Sequence, residues 1–142
     1  AFQNEPDGFR ELKWGDSKTE DMKYFDIIEG HERYVLSKEN RHFGNIELEQ
    51  IFYVFYGDPG RLLSVILSFK GKTTYERLET FCRQEYGEEN SEGIGGELYW
   101  EGEDTMMGFD YDTEKEEGSV TLLSVSMLTE IMMTEMLEIE KE

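Results

Sequence analysis

Apolar and polar positions alternate with period two over three stretches in the first half of the chain, and this pattern predicts strands. In His31–Ser37, Tyr34 and Leu36 share one side and Arg33 and Val35 the other. In Glu47–Tyr56 the run Ile51-Phe52-Tyr53-Val54-Phe55-Tyr56 is apolar or aromatic on both sides, as in a central or doubly covered strand. In Arg61–Phe69, Leu63, Val65, Leu67 and Phe69 face one way, and Leu62, Ser64, Ile66 and Ser68 the other. Gly57-Asp58-Pro59-Gly60 supplies the turn that makes the last two a hairpin. Three more strands are expected at Glu97–Glu101, Thr105–Tyr111 and Ser119–Ser126.

The period changes to 3.6 elsewhere. Thr73–Tyr86 places Leu78, Phe81, Cys82 and Tyr86 on one helical face, and Gly87 stops the helix. Met127–Glu142 aligns Leu128, Ile131, Met132, Met136 and Ile139, with Met133 and Leu137 off that stripe. A short helix is predicted from Ser17 to Phe25, with Met22 and Phe25 on one side.

Two capping signals link these elements. Gly15-Asp16-Ser17-Lys18-Thr19-Glu20 and Gly71-Lys72-Thr73-Thr74-Tyr75-Glu76 share a turn glycine, a hydroxyl cap and a glutamate three residues on. The order helix–strand–strand–strand follows each. The expected fold is therefore α+β: two such units forming one antiparallel sheet, or two packed sheets, with helices packed on one face and a C-terminal helix added. Residues 1–142 form a single domain. Within it, 1–8 is a loose N-terminus, 9–70 the first unit, 71–126 the second and 127–142 the final helix.

Charge narrows the function classes. The 142 residues include 33 acidic against 14 basic side chains, a net charge of −19. The basic residues form no stripe, and nucleic-acid or anionic-membrane binding needs clustered Lys and Arg. No apolar run reaches the length of a membrane span. A basic protein partner or a cation such as calcium suits the charge. The chain begins with Ala1, as a processed or trimmed product would. Ala1–Pro6 suits the start of a mature exported protein and equally an arbitrary boundary.

Candidate chemistry is sparse. Phosphate-binding glycine loops, dinucleotide fingerprints, H-E-x-x-H and G-x-S-x-G are all missing from the sequence. The single cysteine, Cys82, excludes an internal disulfide, and a Cys–His nucleophile would need the fold to bring it to His31 or His42. Asp110-Tyr111-Asp112-Thr113-Glu114 opens like a calcium loop. Lys115 then replaces the turn glycine and Thr121 the bidentate glutamate, so an acidic turn is expected instead. Paired acids such as Glu101, Glu103 and Asp104 are expected by chance in so acidic a chain. Met132, Met133 and Met136 could suggest a soft copper(I) site, but helical methionines more often form packing or an adaptable contact surface.

The segment Phe9-Arg10-Glu11-Leu12-Lys13-Trp14-Gly15-Asp16-Ser17, with Tyr86-Gly87 and Tyr99-Trp100, resembles small exported bacterial proteins of uncharacterised function that open with F-R-x-[IL]-x-W-G-x-[ST]. More distantly, the doubled helix start followed by strands looks like the β-lactamase inhibitor protein and outer-membrane assembly lipoprotein folds. The first resemblance implies a periplasmic or secreted location, against a cytoplasmic alternative. The leading expectation is a non-enzymatic exported interaction domain without a cofactor or resident metal. Met132, Met133, Met136 and Leu137 are its candidate contact residues, toward a protein partner or another copy. A calcium-binding protein using acidic turns is the first alternative, and an enzyme the second.

Overall fold

The computed structural model describes residues 2–141. Strands outweigh helices, 41% against 23% of the chain, and one eight-stranded antiparallel sheet organises it. In chain order the elements are β1 (Gly8–Phe9), β2 (Leu12–Lys13), β3 (Lys23–Ile28), β4 (His31–Val35), β5 (His42–Phe43), β6 (Ile46–Glu47), β7 (Gln50–Tyr56) and β8 (Arg61–Lys70). There follow α1 (Lys72–Tyr86), β9 (Ser91–Glu92), β10 (Leu98–Glu101), β11 (Thr105–Asp112), β12 (Glu117–Ser124) and α2 (Val125–Lys141). The main sheet has the order β3-β4-β7-β8-β12-β11-β10-β9, and β1-β2 and β5-β6 form two small sheets.

The structure corrects the expected pair of helix–strand–strand–strand units. No helix forms at Ser17: residues 17–22 are irregular, and the chain then enters β3. Lys23-Tyr24-Phe25-Asp26-Ile27-Ile28 is rich in aromatic and β-branched residues, which favour a pleated strand over a short, weakly nucleated helix. Glu29 (φ 51°) and Gly30 (φ 82°) are both left-handed and close a two-residue hairpin onto β4. The second capping box is not made either. Gly71 holds the N-cap of α1 with no side-chain cap bond, and Thr73 lies within the first turn. The expected helix-first duplication therefore has no structural counterpart.

Helices packed on one face is the second correction. Ile51, Tyr53, Phe55, Val65, Leu67, Phe69, Trp100, Met107, Phe109, Val120 and Leu122 line one face and form the main core with Leu78 and Cys82 of α1. Val54 and Leu63 point to the opposite face, where Met127 of α2 covers them. The change of side comes from a bulge. Val54 pairs with Ser64 and Phe55 with Leu62, so Leu63 is the extra residue and joins the second face. The N-terminal segment is held rather than loose. Phe2 meets Tyr86 edge-on at 5.7 Å, Asn4 donates to the Glu85 carbonyl, and the Glu5 carboxylate accepts from the Thr105 N–H at 2.9 Å.

Candidate interaction surface

α2 leaves β12 through a real cap. The Ser124 hydroxyl, fully buried, accepts from the Met127 N–H at 3.1 Å. Met127 is buried on Val54 and Leu63, Ile131 packs beside them, and Arg61 of β8 is ion-paired to Glu130. Beyond Ile131 every described residue of the helix is exposed.

That exposed half is apolar. Met132, Met133, Met136, Leu137 and Ile139 are 55%, 60%, 62%, 58% and 69% exposed. At ~100° of turn per residue, the sheet-facing line of Met127 and Ile131 continues into Thr134, Glu135 and Glu138. The methionines and Leu137 lie on the side turned away from the sheet. The four sequence-predicted contact residues thus lie together on open surface. Of the predicted stripe, Ile131 packs on the sheet beside Met127, Leu128 is half-buried, and Met132, Met136 and Ile139 are exposed.

A second apolar surface was hidden from sequence reading because residues 17–25 read as a helix. It is β3, where Tyr24, Phe25, Ile27 and Ile28 are all exposed. Asp26 and Arg33 form a bidentate pair at 2.6 and 2.7 Å, and the guanidinium sits 4.1 Å from the Phe52 ring centroid and 5.4 Å from that of Phe25. Arg33's hydrogen bond holds the Asp26 carboxyl below the usual carboxylate range. The signal that could have found this strand was its aromatic and β-branched content followed by Glu29-Gly30.

No group of three His, Cys, Asp or Glu side chains converges as a metal would need, among the described residues. The Asp112 carboxylate is engaged by the Glu114 and Lys115 N–H groups at 2.9 and 3.1 Å, which closes the acidic turn on itself. Cys82 is fully buried in α1, and burial pushes its thiol up to about 12, away from the reactive thiolate. A trough of about 870 Å³ is lined by side chains of both signs, including Glu39, Arg41, Glu49, Lys70 and Arg77. Glu39 is held by Arg10 at 2.8 Å and by the buried Tyr53 hydroxyl, a clamp between the β1–β2 hairpin and the sheet.

No family model, curated protein or solved structure matches the chain. The helix of no described segment is long and apolar enough to cross a membrane. The reading of function rests on the geometry of these two surfaces.

Proposed function

We propose that this protein is an interaction domain that presents the distal half of α2 to another protein. The observation that carries the reading is the position of the apolar side. A helix held by one protein buries its apolar stripe there, whereas the apolar side chains of residues 132–139 face away from the sheet that holds α2. The three exposed methionines of α2, with their flexible thioethers, suit an adaptable contact. The mode is helix-in-groove recognition. Glu130 and Glu135 border the apolar side and Glu140 lies on it, so the fitting groove is apolar with basic side chains beside it.

The test is site-specific photocrosslinking in cells that make the protein natively. A benzophenone side chain replacing Met133 should give one discrete adduct with another polypeptide. The same probe at Thr113, in the β11–β12 turn, should not. The purified partner should then lose affinity for a Met133→Lys/Leu137→Lys variant. No adduct at position 133, or equal adducts at both positions, would refute the reading.

A further inference from the structure

The two edges of the main sheet are unlike. β9, at one end, has only two residues. β3, at the other, has six, of which Tyr24, Phe25, Ile27 and Ile28 are exposed at 54%, 49%, 58% and 39%. An edge strand offers unpaired N–H and C=O groups, and proteins usually guard such an edge by shortness, proline or inward charge. β9 is guarded by shortness. β3 contains no proline, and its one carboxylate is clamped by Arg33. Lys23 and the bulge between Tyr24 and Asp26 are the only guards on this strand.

Charge permits a second copy as the occupant at this end. Residues 13–42, which include β3 and β4, carry seven acidic and six basic side chains, a net −1. Residues 88–117, which include β9, β10 and β11, carry twelve acidic and one basic, a net −11. The sheet order sets these segments at opposite ends, seven strand spacings or ~34 Å apart. The net charge of −19 would oppose most contacts between copies. Contact through β3 is an arrangement that avoids this. It joins nearly neutral edges and leaves the acidic ends ~70 Å apart, many times the Debye length of ~8 Å at physiological salt.

We propose that β3 is a self-association edge: two copies pair their β3 strands antiparallel about a two-fold axis, fusing two eight-stranded sheets into one continuous sheet. The pairing satisfies the edge backbone groups, and each copy covers exposed side chains of the other on both faces. It involves β3 and leaves α2 free.

Sedimentation equilibrium of the full chain should show a dimer of the 16.7 kDa monomer, with its dissociation constant within the range of ~1 μM to 1 mM. Tyr24→Lys/Ile27→Lys, both at exposed positions, should weaken the dimer at least ~10-fold by placing like charges across the axis. Met133→Lys/Leu137→Lys should leave it unchanged. Because Cys82 is buried, Ile27→Cys supplies a single accessible thiol, and a short bis-maleimide should link two copies through it. Ile94→Cys, in the acidic far end, should not link. Circular dichroism checks that each variant folds. A monomer at ~1 mM, a dimer indifferent to the Tyr24/Ile27 change, or linking at position 94 but not 27 would overturn the proposal. A dimer lost only in the α2 variant would also overturn it, and would move self-association to the helix.

Discussion

Met127→Ala tests whether α2 is a presented element or part of the core. Met127 is 4% exposed and packs on Val54 and Leu63, themselves 4% and 5% exposed; these three are the buried members of the second-face cluster among the described residues. Truncating a buried methionine costs about 2–5 kcal/mol. The remaining restraints are smaller. The Ser124 cap contributes about 1 kcal/mol. The Arg61–Glu130 pair has side chains 43% and 47% exposed, and such pairs contribute about 0–1 kcal/mol. A free helix of 17 residues is marginal in water. Losing Met127 should therefore release α2 locally while the main core, on the other face, persists. Native-state hydrogen exchange resolves this residue by residue. Amides of α2 after position 128 should exchange at least ~30-fold faster, the lower bound set by 2 kcal/mol. Amides of Val65, Leu67, Val120 and Leu122 should keep their protection. Equal loss in β8 and β12 would show that α2 unfolds only with the sheet, and the idea of a separately presented helix would fail.

Thr105→Val should lower stability by about 1–3 kcal/mol in urea unfolding, because the Thr105 hydroxyl accepts from Trp14 Nε1 at 2.7 Å and donates to the Pro6 carbonyl. Thr105→Ser should recover most of it; an unchanged midpoint for valine would show that water already serves these groups. Asp26 has a folded pKa below its unfolded value, so its pairing with Arg33 stabilises the protein above about pH 4 and is lost as pH falls through the lower, folded value. Carboxyl ¹³C titration should place its midpoint below about 3.9, and Arg33→Met should raise it; coincident midpoints in the two proteins would contradict the assignment. Ser17→Ala should change stability by less than about 0.5 kcal/mol, since Ser17 starts no helix, whereas a measured loss of about 1 kcal/mol would restore it as a cap.

Much of the strand content was legible because it is local. The expected strands at Glu47–Tyr56 and Arg61–Phe69 correspond to β7 and β8, and the expected helix from Thr73 to α1. The duplicated capping signal misled. A cap stabilises a helix that packing already favours, and no stripe of residues 17–25 offers enough apolar surface against Tyr24-Phe25-Asp26-Ile27-Ile28 in strand form. The opposite placement of the two helices was not legible. It depends on one bulged residue, Leu63, and on register, which alternation alone leaves open. Of the two surfaces, the methionine-rich one could be seen because it departs from a single stripe. The β3 edge could not, because exposure of an edge depends on which strand ends the sheet.

The order of the sheet also bears on how the molecule assembles. Every strand pairing in it joins neighbours along the chain or spans a small hairpin, apart from β8 with β12. There seven residue pairs, from Glu117 with Lys70 to Leu123 with Ser64, stitch the two meanders together. Closing this seam spans roughly fifty residues and carries the loop entropy that local hairpins avoid. We expect the two meanders to form early and the seam to close after the rate-limiting barrier. Destabilising changes at Val120 or Leu122 should then mainly speed unfolding, and low φ-values there would fit this order while values near 1 would reverse it.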